Sequence, residues 1–319
     1  MRDLQRRLGA AGFLPGSVAE AGFFCIETAA SLKAFQQDRG LAVDGVCGEY
    51  TWAGLVEASW RLGDRLLLLT APNLRGDDVG ALQSHLGILG FDCGKVDGIF
   101  GPHTLHALED FQGNCGLVVD GICGAATLQI IDRVSRQTGT GPGVATMRER
   151  DRIQSRTASL RRLRVVLGQF GGLSALTRAL ARDLRACGAI VISVDEPDGR
   201  VQADAANHFE ADVYIGFAAV GAVGRSPGEV TSQIAYYSVP TFQSAGGRSL
   251  SERIAVGLGS LDPIPPTVHG MRLQVLRETR MPAVVISVAE VRRMVDLSVE
   301  VTTVIRNALE AWAGTPLSG

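Results

Sequence analysis

An eight-residue pattern, Asp-Gly-x-x-Gly-x-x-Thr, occurs three times in the first 130 residues: Asp44 to Thr51, Asp97 to Thr104 and Asp120 to Thr127. A worn fourth copy runs from Ala21 to Thr28, with Ala21 and Cys25 where Asp and the second Gly would stand. The step of 23 residues from Ala21 to Asp44 recurs from Asp97 to Asp120, so the front of the chain is one module written twice. Such a repeat constrains the fold more than a lone motif can, because every copy must build the same turn and start the same helix. Asp-Gly predicts a tight turn with the glycine at positive φ. The second glycine closes it, Pro102 opens a helix in one copy, and Thr51, Thr104 and Thr127 fall in the first helical turn.

The flanking residues repeat as well. Leu4-Gln5 to Leu8 is followed by Gly12-Phe13, and Leu82-Gln83 to Leu86 by Gly90-Phe91, each glycine marking a helix C-terminus. A second helix ends at Phe35-Gln36 or Phe111-Gln112; Gly40 to Gly45 or Gly116 to Gly121 and a short third helix follow. Over residues 1–56 and 78–132 this resembles the bacterial peptidoglycan-binding repeat, a three-helix module. The second copy matches closely. The resemblance implies a muropeptide site on the turns, at Asp97, Gly98, Gly101 and Thr104, at Asp120, Gly121, Gly124 and Thr127, and at Asp44 and Gly45 of the first module. Backbone N–H groups and Asp carboxylates there suit the hydroxyls, amides and carboxylates of such a ligand. The competing reading makes the same residues turn and cap architecture only.

The 319 residues suffice for two or three domains. A net charge of −2 gives no reason to expect nucleic acid, and no apolar run reaches the roughly 18 residues of a membrane span. Met1 already lies inside the first repeat, with no basic-then-apolar leader, which points to the cytoplasm. Cys25, Cys47, Cys93, Cys115, Cys123 and Cys187 show no Cys-x-x-Cys spacing; Cys25, Cys47 and Cys123 are expected to be small buried residues. Gln137 to Gly143 has linker composition, and Arg148, Arg150, Arg152, Arg156, Arg161, Arg162 and Arg164 follow, diluted by Glu149 and Asp151. That run reads as a solvated linker, or as a docking surface for an acidic partner.

From about residue 161 the pattern changes. Val165 to Leu167, Ala189 to Val194, Val213 to Phe217 and Pro282 to Val288 read as buried strands. Leu173 to Leu184, Ser249 to Leu258 and Val291 to Trp312 read as helices. Apolar strands separated by helices imply an α/β domain with a mainly parallel sheet covered by helices. The expected division is two small three-helix modules at 1–60 and 77–136, linkers at 61–76 and 137–160, and the α/β domain at 161–314.

That domain resembles the zinc-dependent N-acetylmuramoyl-L-alanine amidases, best at Val275 to Ile286, then at Ala206-Asn207 to Ile215 and in the strand before Gly171-Gly172. The family cuts the amide joining muramic acid to its stem peptide. It uses zinc held by two histidines and a glutamate, with a second glutamate as general base. The resemblance places Gly168 to Gly172, without histidine, over the first ligand loop and Leu173 near the ligand glutamate. Ala218 falls on the second histidine, and Ser287-Val288-Ala289 on the segment of the catalytic glutamate. His85, His103, His106, His208 and His269 match no ligand position, and Glu290 is no substitute for the base. No catalytic residue, metal or cofactor is therefore expected.

The whole arrangement is similar to an actinobacterial group of cytoplasmic proteins. That implies a pseudoenzyme that binds peptidoglycan fragments or precursors and regulates cell-wall synthesis, with an enzyme of precursor synthesis as partner. The alternatives are an active zinc amidase and a purely structural wall-binding protein.

Overall fold

The computed structural model describes residues 1–15, 22–135, 143–155, 159–219, 232–261, 265–288 and 291–317. Ala21, residues 137–142, Arg156, Ala289 and Glu290, named above from the sequence, lie outside the described residues. The chain divides into two compact units, Met1–Arg148 and Glu149–Gly319.

The first unit holds the repeats. One module comprises α1 (Arg2–Ala10), α2 (Ile26–Asp38) and α3 (Glu49–Glu57); the other comprises α4 (Asp77–Ile88), α5 (Pro102–Asn114) and α6 (Ala125–Ser135). Each has its own small core: Leu4, Leu8, Leu32, Phe35 and Leu55 in the first, and Val79, Leu82, Leu86, Phe100, Leu108 and Phe111 in the second. The repeated Gly-Phe now has a reason. Gly12 and Gly90 sit at φ +83° and +98° past their helices, and turn the next residue inward. Phe13 thereby meets Phe35 edge-to-face at 5.5 Å, as Phe91 meets Phe111 at 5.5 Å. Between the modules, Arg65 stacks on Trp60 and forms a two-pronged ion pair with the buried Asp78. Arg39 pairs with Asp77.

The arginine-rich stretch assigned to a linker contains a helix, α7 (Val144–Gln154). In the second unit its Glu149 carboxylate accepts from the Ser244 hydroxyl and the Ala245 N–H, and Ile153 is buried where Gly246 leaves room for it.

Unit two continues with β1 (Arg164–Gln169), α8 (Ser174–Ala186), β2 (Ile190–Asp195), α9 (Gly199–His208), β3 (Val213–Ala219) and β4 (Gln233–Val239). It ends with β5 (Phe242–Gln243), α10 (Ala245–Gly259), β6 (Thr267–Met271), α11 (Gln274–Glu278), β7 (Ala283–Val288), α12 (Val291–Asp296) and α13 (Ser298–Gly314). The strands form a seven-stranded sheet in the order β2-β1-β3-β7-β4-β5, with β6 also paired to β4. β2, β1, β3 and β7 run parallel; β4 is antiparallel to β7. The mainly parallel α/β architecture is as the apolar strand runs imply. The helix expected from Val291 to Trp312 is two, broken between Asp296 and Ser298, and β4 and β6 were not foreseen.

One sheet face carries Val165, Leu167, Val213, Ile215, Phe217, Val284 and Ile286 in a core with α8, α10 and α13. The other face is organised by two glycines in register, Gly168 on β1 and Gly216 on β3. They make a bed for Tyr214, whose hydroxyl donates to Gln202 Oε1 of α9 at 2.6 Å, fully buried. A Cβ on Gly168 would lie 1.9 Å from Gln202 Oε1 and 2.2 Å from Tyr214 Oη. Gly168→Ala is therefore expected to destabilise the second unit by about 1–3 kcal/mol, read from the midpoint of chemical unfolding, because the buried pair must shift or separate.

Candidate functional site

Two places deserve comparison: the repeat turns and the carboxyl edge of the parallel strands. In the closest repeat copy, the Gln83 side chain of α4 lies under the turn. Its Nε2 donates to Asp97 Oδ1 (2.9 Å), the Ile99 carbonyl (3.1 Å) and Thr104 Oγ1 (3.0 Å). Its Oε1 accepts from the N–H groups of Asp97 (3.1 Å) and Gly98 (2.8 Å). The Ile99 N–H donates back to Asp97 Oδ1 at 2.8 Å.

Gln112 makes the same set with Asp120, Gly121, Ile122 and Thr127. Gln36 does so with Asp44, Gly45, Val46 and Thr51. In the worn copy Gln5 bonds Gly22 N, the Phe23 carbonyl and Thr28 Oγ1. All four amides are at most 1% exposed. Gly45, Gly98 and Gly121 take φ of +74°, +70° and +66°, which is what the motif's first glycine is for.

The structure thus brings the named turn residues together, around a partner the sequence reading passed over. Thr104 and Thr127 are buried with their hydroxyls on the glutamine. The N–H groups of Asp97, Gly98, Asp120, Gly121 and Gly45 are spent on it too. Asp44 and Asp120 remain exposed. Gly48 and Gly101 are the N-caps of α3 and α5, and no side chain caps either helix. Gly124 precedes α6. The signal that would have found the glutamines was present: all four copies, the worn one included, are preceded by a helical Gln, twice as Leu-Gln and twice as Phe-Gln.

The Ile122 N–H, then the Gln112 amide, hold the Asp120 carboxyl below the usual carboxylate range. Burial pushes the Cys93 and Cys123 thiols up to about 12, whereas Cys25 and Cys47, expected to be buried, are only half-buried.

The second place is the carboxyl edge of β1, β3 and β7. Ala218 of β3 and Ser287 of β7 are direct register partners, so the two positions matched to the second histidine and the catalytic glutamate stand side by side. Phe170, past the end of β1, donates its N–H to the Phe217 carbonyl at 2.9 Å. The loop that follows is closed by Gln169, 3% exposed. Its Oε1 accepts from Gly171 N (3.0 Å) and Leu173 N (3.1 Å), and its Nε2 donates to Ser174 Oγ (3.1 Å) and to Asp195. Leu173 is fully buried at the start of α8. His208 and His269 are exposed, away from this edge, on α9 and β6. Among the described residues no three His, Cys, Asp or Glu side chains are grouped to hold a metal, and no helix is long and apolar enough to cross a membrane.

Two three-helix modules followed by an α/β domain of this topology define a cell-wall protein of the peptidoglycan-binding and amidase type. The family model "Putative peptidoglycan binding domain" matches residues 1–55 and 75–131. N-acetylmuramoyl-L-alanine amidase CwlM of Mycobacterium tuberculosis is 32% identical over 315 residues, which cover 88% of this chain and 75% of that protein. The chain belongs to that N-acetylmuramoyl-L-alanine amidase family. CwlL of Bacillus licheniformis is 32% identical over 40% of this chain and 41% of its own length. A solved amidase from Clostridium difficile 630 overlaps 49% of this chain and 99% of its own, with 17% identity and a TM-score of 0.37.

The zinc that the resemblance implies does not fit the described residues at the matched positions of this edge. Phe170, Leu173 and Ala218 have no lone pair to give, Ser287 offers only a neutral hydroxyl, and the Gln169 amide is fully engaged.

Two outcomes follow. Gln83→Leu strips the second module's turn of its common partner and should cost about 3 kcal/mol, seen as an earlier unfolding transition of that module. Because the Asp120 pKa is lowered by folding, its contribution to stability is present above the ordinary carboxylate pKa and lost as pH falls through the depressed folded value. Acid titration of unfolding should show that loss in the native chain, and a smaller loss in Asp120→Asn.

Proposed function

We propose that this chain binds peptidoglycan fragments or precursors through its repeats, cuts nothing, and acts as a non-catalytic regulator of peptidoglycan synthesis. The observation that supports this reading is the register pair Ala218–Ser287: the resemblance matches these neighbours to an imidazole and a carboxylate, and they carry a methyl and a hydroxyl instead. Without donors for the metal, no bound water is brought to a pKa near 7, and no carboxylate is placed to take its proton.

Recognition falls to the turns. The exposed carboxylates of Asp44 and Asp120 accept from ligand hydroxyls and amides, and the uncapped starts of α3 and α5 at Gly48 and Gly101 favour a peptide carboxylate. Asp97, Gly98, Thr104, Gly121 and Thr127 hold these groups in place through Gln83 and Gln112. A cytoplasmic location and a partner among the enzymes of precursor synthesis rest on the resemblance to the actinobacterial group. A second reading, an active amidase, is favoured by the similarity to the Mycobacterium tuberculosis relative, which is named an N-acetylmuramoyl-L-alanine amidase.

The two are separated by purifying the full chain in the presence of zinc, measuring metal per chain, and incubating it with purified muropeptides. The expected result is substoichiometric zinc, no release of stem peptide, and measurable muropeptide binding that weakens in Asp120→Ala. Stoichiometric zinc with amide cleavage would overturn the non-catalytic reading. Retention on insoluble peptidoglycan without affinity for soluble fragments would instead favour a purely structural wall-binding protein.

A further inference from the structure

The arginine run left over by repeats and cleft is broken up by the fold. Arg148 pairs with Asp92, and Arg152 donates to the Arg280 carbonyl. Arg164 lies over the Phe209 ring and donates to the Phe209 carbonyl. Arg161 and Arg162 stay exposed. The Arg162 N–H donates to the Gly188 carbonyl at 2.9 Å, which sets both at the amino end of β2.

β2 is an edge strand: β1 holds one side, and among the described residues no strand pairs with the other. The Ile190 N–H donates to the Leu163 carbonyl on the β1 side, so alternation turns the backbone groups of Val191 and Ser193 outward. Arg185 of α8 reaches round to the outward Val191 carbonyl at 2.7 Å. By helical periodicity Arg178 and Arg182 share the exposed flank of α8 with Arg185. Asp183, on the opposite flank, turns to Arg306 of α13 at 3.5 Å.

Arg185 therefore holds the edge's Val191 carbonyl, Arg178 and Arg182 follow it on the same exposed helix flank, and Arg161 and Arg162 stand at the strand's amino end. On the sheet face opposite Val191, Ile190 is 49% exposed and Ile192 and Val194 are half-buried.

We propose that the outer edge of β2 takes up an extended segment of a partner protein in which acidic and apolar residues alternate. The segment adds a strand, its main chain pairing with the Val191 N–H and with Ser193, while Arg185 keeps the Val191 carbonyl. Its carboxylates fall on the α8 side, where the planar forks of Arg178 and Arg182 match them, and its apolar side chains cover Ile190 and Ile192. A lipid surface or a nucleic acid would use the guanidinium groups but leave the strand's N–H and C=O groups unmatched. This proposal is independent of whether the cleft holds zinc.

The test uses the full chain and a labelled octapeptide alternating glutamate and valine, with binding read by fluorescence anisotropy and amide protection by hydrogen exchange. Expected are salt-sensitive binding, slower exchange at Ser193, and affinity lowered about tenfold in the surface double variant Arg178→Glu, Arg182→Glu. The same peptide methylated at alternate backbone nitrogens should lose its affinity. Equal binding of the methylated peptide, or binding of DNA or anionic vesicles through these arginines with none of the peptide, would overturn the proposal.

Discussion

A carboxamide shut away from water must find partners for two donors and an oxygen, or it destabilises whatever buries it. This chain uses that demand to tie its loops. Gln5, Gln36, Gln83 and Gln112 each draw a turn onto a helix, and in the α/β unit Gln169 closes the loop after β1 while Gln202 holds Tyr214 over the sheet. A helix has no free backbone group to offer a neighbouring turn, so a long, uncharged side chain with both kinds of group substitutes for one. Because each amide serves several partners at once, the turn residues succeed or fail together.

That economy changes what the repeated motif means. Its Thr is a buried acceptor for Gln Nε2, its first Gly supplies positive φ, and one oxygen of its Asp is engaged within the turn. The repetition is thus explained largely by folding. What the turns present outward is less constrained: Val46 and Tyr50 in one copy, Pro102 and His103 in another, Ala125 and Ala126 in a third. Ligand preference can vary between copies while the tie beneath stays fixed.

The repeats, the parallel strands and the apolar helix faces were legible because each rests on local periodicity or turn chemistry. The glutamines were visible as letters but not as partners, since their bonds reach 8 to 23 residues along the chain. β4 was missed although Ile234 to Tyr237 is a short buried apolar run, because four residues with two tyrosines are a weak signal until β7 and β6 pair with them. α7 was masked by its charge: one buried Ile153 and one Glu149 anchor a helix whose other residues read as solvated. The matched positions Ala218 and Ser287 were read singly from the sequence; only the register made them neighbours.

On the proposed non-catalytic reading, that register also accounts for the departures coming as a set. A cleft that kept one imidazole or carboxylate after losing the rest would hold a polar group in a site shaped for a metal, with the desolvation cost unrelieved. Replacing a single ligand is thus a worse arrangement than replacing all of them. Phe170, Leu173 and Ala218 carry no charge, and Gln169 satisfies the shortened loop from within. Among the described residues, the loop after β1 is therefore satisfied by its own hydrogen bonds, with no charge left over at Phe170, Leu173 or Ala218. On the non-catalytic reading, selection on such a scaffold shifts from the cleft to its outer surfaces, the β2 edge among them, where a change of side chain alters what the chain contacts without disturbing the core beneath.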